Sequence, residues 1–180
     1  KVPGFAHHNL FFARDLKKNL REIFKEKVIS QDPSFYLHVP TVTDPSLAPA
    51  GKEIFYILVP VPNLERNRED ISGREEELRR IVFAAISEKA GEDIEPLIET
   101  EHRFYPQDFT GRYNIKYGAT FGLAHTLKQS AFFRPANYDS RIKGLYFVGA
   151  STQPGGGLPV VIASSRIAAD LITEGSVSVS

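Results

Sequence analysis

The stretch GLYFVGASTQPGGGLPVVIASSRIAADLI, residues 144–172, decides the fold of this chain. Residues 145–148 form a continuous apolar run, which is typical of a strand buried on both faces. Residues 149–157 form a loop of small side chains, and Pro159 suits the first turn of a helix because its missing N–H costs nothing there. Apolar residues then recur at helical spacing: Val160, Val161, Ile167, Ala168, Leu171 and Ile172. The pattern predicts a strand, a glycine-rich turn and a helix.

This turn has the chemistry of a ligand-binding loop. The first turn of a helix leaves backbone N–H groups unpaired and carries partial positive charge. Glycines without a Cβ allow a ligand to approach the backbone, which favours a phosphate or a polyol. The turn has neither the G-x-G-x-x-G spacing nor the phosphate-loop lysine, so the pattern alone fits an ordinary tight β–α connection equally well.

Upstream, the chain predicts a strand at residues 10–13 and a helix from Asp15. Two runs rich in aromatic and β-branched residues, 35–39 and 54–61, predict an antiparallel hairpin with a long loop. The apolar side chains of the first helix recur with a period of 3.6 residues and predict its buried face: Leu16, Leu20, Ile23 and Phe24.

A second helix is predicted from a capping box formed by Ser72 and Glu75. It runs to Ala90, and Gly91 fits the position after its end. Leu78, Ile81, Val82, Ala85 and Ile86 lie on one face. Residues 97–103 predict a further strand, and residues 105–122, rich in Gly, Pro and aromatic residues, predict an irregular region with a short helix.

Composition excludes several functions. The 180 residues contain 22 basic and 22 acidic side chains and no cysteine. The balanced charge argues against a nucleic-acid partner, and disulfides or thiolate chemistry are excluded. The adjacent His7 and His8 would point to opposite faces of a strand, so no metal site is predicted. The chain lacks methionine and begins with Lys1, and we expect a processed protein or a piece of a longer one.

Residues 144–159 resemble the C-terminal signature of the bacterial- and fungal-type phytoene desaturases, FAD-dependent enzymes of the amine-oxidase-like superfamily. HHNLFFARD is similar to the family's HN-containing strand. DPSFYLHVPTVTDPSLAPAGKEIFYILVPVPNL is similar to its two-stranded segment, and KYGATFGLAHTLKQSAFFRP to the region before the signature. The resemblance covers residues 5–172 in one order.

The resemblance implies a combined α+β and α/β fold. Residues 1–143 would be mostly an antiparallel-sheet substrate domain with covering helices. Residues 144–175 would be the last strand, turn and helix of a Rossmann-like FAD domain, and residues 176–180 a tail. The implied partners are a long apolar polyene, membrane lipid contacted peripherally, and the N-terminal part of the same enzyme. The implied location is cytoplasmic and peripheral to the membrane.

The resemblance also implies which residues contact FAD, mainly through main-chain groups, and it assigns no catalytic residue. Gln153 replaces the family's usual histidine and cannot titrate near neutral pH. The implied FAD contacts are Gly149, Ala150, Ser151, Gln153, Gly155, Gly156, Gly157, Leu158 and Val160.

Three functions follow from these observations. The favoured one is an oxidoreductase that introduces double bonds into a carotenoid precursor such as phytoene by hydride transfer to flavin. A related flavoenzyme, a carotenoid isomerase, an oxygenase or a retinol-saturase-like enzyme, shares the same framework. A flavin-free binding or interaction module would explain the missing G-x-G-x-x-G turn.

Overall fold

The computed structural model describes residues 1–65, 73–130 and 133–177. The chain divides into two compact units, Lys1–Phe104 and Tyr105–Ser180. The first unit contains a three-stranded antiparallel sheet and the helices α1 and α2, and the second contains α3 and α4. This confirms the α+β architecture expected from the sequence at the level of its elements.

The sheet of the first unit has strand order β1-β2-β3 with β2 at its centre. The strands are β1 (His8–Phe11), β2 (Phe35–His38) and β3 (Tyr56–Leu58). Both pairings are antiparallel, which confirms the predicted hairpin of β2 and β3 and the preceding strand. Alternation along β2 sends Phe35 and Leu37 to a buried inner face and Tyr36 and His38 to an outer face.

Helix α2 (Glu75–Ala90) closes the core of the first unit. It buries Leu78, Val82 and Ile86, three residues of the predicted face, in one cluster with the inner face of β2. Gly91 adopts φ +77° at the end of the helix, as its predicted position after the last turn requires.

The predicted start of α2 differs from the observed one. The helix begins at Glu75, and Arg74 occupies the N-cap position without a side-chain cap. Ser72, the first member of the predicted capping box, lies outside the described residues. Instead, the Arg74 guanidinium donates to the Glu77 carboxylate at 2.8 Å, so an ion pair organises the first turn.

The predicted apolar face of α1 (Leu16–Arg21) is wrong. Asp15 caps the helix by accepting from the Lys18 N–H at 2.9 Å, but the helix buries Asn19, whose side-chain oxygen accepts from the Ser34 N–H. The next residues, Glu22–Glu26, form a π-helical turn whose wider spacing shifts the side chains relative to a 3.6-residue period. Of the predicted face, only Ile23 is buried, and the others are exposed: Leu16, Leu20 and Phe24.

The strand predicted at residues 97–103 is also wrong. A 3-10 turn, Glu95–Leu97, begins the segment, and ion pairs rather than a strand ladder attach it to α2. The Arg79 guanidinium bonds both Glu95 and Glu101. Arg103 bonds Glu101 and Glu76. Ion pairs between charged side chains therefore attach this segment to α2, in place of the expected pairing with a neighbouring strand.

The second unit contains α3 (Pro106–Tyr113) and α4 (Leu158–Val177). The short helix predicted within residues 105–122 is confirmed. The prediction of a buried strand at residues 145–148 is wrong. Within the described residues, this segment makes one isolated β-bridge, between Tyr138 and Tyr146, and no strand ladder. A strand buried on both faces needs a partner strand on each side, and Phe147 and Val148 are exposed here.

Pro159 lies in the first turn of α4, as predicted. Among the described helices, none has both the length and the apolar character needed to cross a bilayer.

Candidate functional site

The glycine-rich turn before α4 depends on backbone conformations that glycine favours. Gly149, Gly155 and Gly157 have φ angles of +132°, +144° and +108°, a region that side chains with a Cβ rarely adopt. Gly156 lies outside that region, so its missing side chain matters for space rather than for backbone strain.

Arg134 fixes one end of the glycine-rich turn through hydrogen bonds to main-chain oxygens. Arg134 is 2% exposed, and within the described part of the chain its guanidinium donates to three main-chain oxygens: those of Gln129 at 2.9 Å, Leu123 at 3.1 Å, and Ala150. A planar guanidinium can bridge several acceptors at fixed angles. Arg134 therefore ties the Ala150 end of the turn to two separate segments of the second unit.

A buried polar cluster attaches the same turn to α4. The Asn137 amide donates to Ser164 Oγ at 2.8 Å and to Phe147 O at 3.0 Å. Thr152 Oγ1 lies 3.1 Å from Ser164 Oγ, and the Gly149 N–H donates to that Ser164 oxygen at 3.3 Å. All three polar side chains are buried. The shape of the turn is thus set by hydrogen bonds rather than by apolar packing.

His125 lies against the centre of the turn. The Gly156 N–H donates to His125 Nε2 at 3.2 Å. A Cβ built on Gly156 would lie 3.1 Å from the imidazole Cε1, and one built on Gly155 would lie 3.3 Å from Nε2. The two glycines therefore let an acceptor group approach the backbone closely, and an imidazole takes that place in this chain.

The other predicted contact residues have different environments. Gln153 braces the chain, since its N–H donates to Pro135 O at 2.9 Å and its side-chain amide to Arg134 O at 3.3 Å. Ser151 is exposed, and its hydroxyl lies 2.5 Å from where a Cβ on Gly122 would be. Leu158 is 78% exposed and Val160 is half-buried. Gly149, Ala150 and Gln153 are thus held by the scaffold, whereas Leu158 faces outward.

Sequence reasoning missed the residues that shape this site. Asn137, Thr152 and Ser164 belong to no motif, and the sequence alone identifies no partner for His125 or Arg134. The one available signal is a polar residue, Ser164, within the apolar pattern of the last helix.

A second polar cluster lies on the outer face of the sheet in the first unit. His8 and His38 are directly paired across β1 and β2, and His7 precedes β1. The His7 Nε2 and His38 Nε2 atoms are 2.9 Å apart, and the rings of His7 and His8 have centroids 4.3 Å apart. Burial lowers the pKa of His7, and the neighbouring His8 and His38 lower it further. Strand alternation does not separate His7 from His8, because the strand begins only at His8.

Apolar side chains surround a shallow groove at the end of the sheet where β1 ends and β2 begins. Phe11 stacks on Phe35 with ring centroids 4.3 Å apart. Phe12 is exposed beside them. The groove is bounded by both polar and apolar residues: Leu10, Phe11, Phe12, Ser34, Phe35, Tyr36, Leu58 and Pro60.

The chain is homologous to carotenoid-precursor desaturases along nearly its whole length. It is 44% identical over 170 residues to a zeta-carotene-forming phytoene desaturase of Myxococcus xanthus, a match that covers 93% of this chain and 32% of the relative. It is 41% identical over 170 residues to a 4,4'-diapophytoene desaturase of Staphylococcus haemolyticus, covering 93% of this chain and 34% of the relative. The Staphylococcus aureus (strain Newman) enzyme of the same name is 42% identical over 168 residues, covering 91% and 33%.

These matches confirm the resemblance to a C-terminal portion of the phytoene desaturases. No protein-family model matches the chain. The chain spans about a third of the length of the curated relatives it matches.

Proposed function

We propose that this chain is part of an FAD-dependent desaturase that introduces double bonds into a long carotenoid precursor. The observation that carries the proposal is the 41–44% identity to phytoene and diapophytoene desaturases over 93% of the chain. The relatives named above are desaturases, so a carotenoid isomerase, an oxygenase or a flavin-free interaction module is not favoured.

The glycine-rich turn fits a flavin nucleotide. The Gly156 N–H donates to an acceptor outside its own turn, the imidazole of His125. The neighbouring glycines leave the space that a Cβ would fill, and the first turn of α4 adds N–H groups without helical acceptors. The residues proposed to contact FAD remain those named from the sequence: Gly149, Ala150, Ser151, Gln153, Gly155, Gly156, Gly157, Leu158 and Val160.

The chemistry that FAD supplies when bound is the acceptance of a hydride equivalent from an allylic carbon, while a proton leaves the neighbouring carbon. The role of this chain is to position the two molecules. Arg134 and Asn137 hold the turn rigidly, and rigid supports keep binding groups in place. Gln153 serves as a brace rather than as an acid or base, since an amide does not titrate near neutral pH.

We also propose a division of the chain into domains that fits this function. We propose that residues 1–143 contribute to the substrate domain and residues 144–175 to a Rossmann-like FAD domain completed by the N-terminal part of the enzyme. The apolar groove on the sheet offers a surface suited to a polyene. Exposed aromatic side chains such as Phe12 and Phe133 favour peripheral contact with lipid at the cytoplasmic membrane face. We propose the same contact for Phe132, which lies outside the described residues.

A chimera tests the proposed activity directly. This chain replaces the matching third of the Myxococcus xanthus phytoene desaturase, and the chimera is expressed in hosts that make phytoene or 4,4'-diapophytoene. We expect products with additional double bonds in at least one host, measured by chromatography and absorbance. The unmodified relative is the positive control. A folded, flavin-containing chimera that desaturates neither precursor would contradict the proposal.

The flavin contact is tested in the same chimera by Gly156→Val. We expect the flavin content of the purified protein to fall sharply, because a branched side chain fills the space beside the backbone. Gly111→Val is the matched control, since a Cβ there meets nothing within 4 Å. Combining Gly156→Val with His125→Ala removes the imidazole that the new side chain would push. Recovery of flavin in that double variant would assign the loss to His125 and count against direct contact.

Peripheral membrane contact is tested by sedimenting the chimera with liposomes of neutral and anionic lipid. We expect binding that survives high salt, because screening weakens only the electrostatic contribution. Phe12→Ser should reduce it, and Lys17→Arg, at an exposed position of the same unit, is a control that changes no apolar side chain and keeps the charge. Binding that disappears in high salt would contradict apolar anchoring.

A further inference from the structure

The three histidines on the outer face of the sheet form a compact set of nitrogen ligands. One ring nitrogen from each of His7, His8 and His38 lies within 4.8 Å of the corresponding nitrogens of the other two. His8 and His38 face each other across adjacent strands. The Val39 N–H donates to the His7 main-chain oxygen at 2.9 Å, which fixes His7 beside the end of β2. Backbone pairing therefore gathers the three rings from two segments.

Two hydroxyl groups orient these rings. Thr43 Oγ1 lies 2.6 Å from His7 Nδ1, and Tyr36 OH lies 2.7 Å from His8 Nδ1. When each hydroxyl accepts the Nδ1 proton, the lone pair of the imidazole is placed on Nε2. Metal-binding histidines commonly have their second nitrogen held in this way, which fixes both the tautomer and the ring direction.

The spacing suits a small divalent ion. Zinc–imidazole bonds of about 2.0–2.1 Å in a tetrahedral site place neighbouring ligand nitrogens about 3.3 Å apart. The His7 Nε2 and His38 Nε2 atoms are 2.9 Å apart as a direct hydrogen-bonded pair. An increase of roughly 0.4 Å in the distance between these two Nε2 atoms would therefore allow both to bind the same ion. His8 is exposed, so the ion can enter from solvent.

We propose that His7, His8 and His38 bind one divalent transition-metal ion, such as Zn²⁺, with water completing the coordination. Imidazole ligands favour zinc, copper and nickel over the hard cations Mg²⁺ and Ca²⁺, which prefer oxygen. The bound ion joins the start of β1 to the end of β2 and stabilises the first unit by mass action. The site is independent of the FAD turn, which lies in the other unit.

The test uses the 180-residue chain purified without a polyhistidine tag. Calorimetric titration with Zn²⁺ should show one ion per chain with micromolar or tighter affinity, and Co²⁺ should give the visible absorption of a tetrahedral site. His38→Gln should weaken binding at least tenfold. Tyr36→Phe should weaken it by about tenfold through loss of the orienting hydroxyl. Mg²⁺ should not bind.

His102→Gln is the matched control, because His102 is an exposed histidine of the same unit outside the cluster. It should bind Zn²⁺ like the parent chain. Zinc should raise the Tm of the parent and of His102→Gln, but not that of His38→Gln. If His38→Gln does not fold by circular dichroism, His8→Gln at the exposed edge strand replaces it. Absence of Zn²⁺ binding to the parent, or equal binding by the parent and the cluster variants, overturns the proposal.

Discussion

The two units of this chain are stabilised in different ways. In the first unit, eight apolar residues from β2, α2 and the flanking segments form a buried cluster. In the second unit, the buried side chains among the described residues are mainly polar, namely Arg134, Asn137, Thr152 and Ser164, together with the apolar Ala168. Large apolar residues of that unit, such as Phe121, Leu127 and Ile162, remain exposed.

The first unit buries an apolar core of its own, whereas the second buries polar side chains next to the glycine-rich turn. Apolar packing is non-directional and tolerates small shifts, whereas hydrogen bonds to main-chain oxygens fix a backbone path. The first unit thus provides a stable scaffold. The second provides a shaped turn, and its exposed apolar side chains are the kind of surface that other protein or lipid covers.

The largest effect is expected in the apolar core. Leu37 is fully buried at the centre of the sheet. Leu37→Ala should lower the free energy of unfolding of the first unit by about 4 kcal/mol, because it loses apolar burial and leaves a cavity. Urea unfolding measures the loss. Leu47→Ala, at an exposed position, is the control and should change stability by less than about 0.5 kcal/mol. Equal effects of the two variants would contradict this core.

Arg134→Ala should lower the stability of the second unit. The substitution leaves the main-chain oxygens of Gln129, Leu123 and Ala150 without their donor. Unsatisfied buried acceptors cost about 1–3 kcal/mol each, so we expect a loss of about 3 kcal/mol after partial solvation. Hydrogen exchange should rise in the second unit and stay unchanged in the first.

Arg141→Ala is the control within the same unit, since its side chain is 84% exposed and its partner is Asp139. It should leave exchange rates almost unchanged. Arg134→Lys should fall between the two, because an ammonium cannot span the same acceptors. A hydrogen-exchange pattern that is the same for Arg134→Ala and Arg141→Ala would contradict the role of Arg134.

Much of the first unit could be predicted from sequence because its signals are local. The hairpin strands and α2 follow from side-chain type and period, and Gly91 marks the helix end. The strand expected at residues 97–103 failed because the acidic and basic residues there pair with α2, which periodicity does not register. The apolar run at residues 145–148 has the composition of a buried strand, yet within the described residues no strand pairs with it on both sides.

The candidate sites were harder to predict because their partners are distant in sequence. The glycine turn was visible as GASTQPGGGLP, but its supports, Asn137 and Ser164, are identified only by the fold. The histidine cluster needed the register of β1 and β2, since His38 lies thirty residues beyond His8. The main-chain oxygens that accept hydrogen bonds from Arg134 cannot be identified from residue type, because every residue has one.

A smaller effect is expected on acidification, and mainly in the first unit. The Arg103 guanidinium lowers the pKa of Glu76 below its usual value of 4.5, and Arg74 followed by Gln31 lowers the pKa of Glu77. A carboxyl whose folded pKa is depressed stabilises the fold above its unfolded pKa and loses that contribution as the pH falls through the folded pKa. Stability of the first unit should therefore decline below a pH of about 4.5.

The second unit has one carboxyl of this kind among its described residues, Asp139, whose pKa is lowered by Arg141. Its acid loss should be smaller. Arg103→Gln should bring the pKa of Glu76 back toward its usual value and flatten the acid dependence of the first unit. Carboxyl NMR titration together with hydrogen exchange measures both. Unchanged acid dependence in Arg103→Gln would contradict the assignment of this ion pair.

The smallest effect is expected from Phe24→Ser, in the π-helical turn after α1, where sequence and structure disagree most directly. Periodicity places Leu20 and Phe24 on the buried face with Ile23, whereas in the structure Phe24 is 68% exposed and only Ile23 is buried. Phe24→Ser should therefore change the free energy of unfolding by less than about 0.5 kcal/mol. Ile23→Ala should lower it by about 2 kcal/mol or more, because it empties part of a packed site. Urea unfolding of the two variants compares neighbouring positions in one turn. A large loss from Phe24→Ser would support the face given by a 3.6-residue period, whereas a small one supports the π-helical turn that rotates Phe24 into solvent.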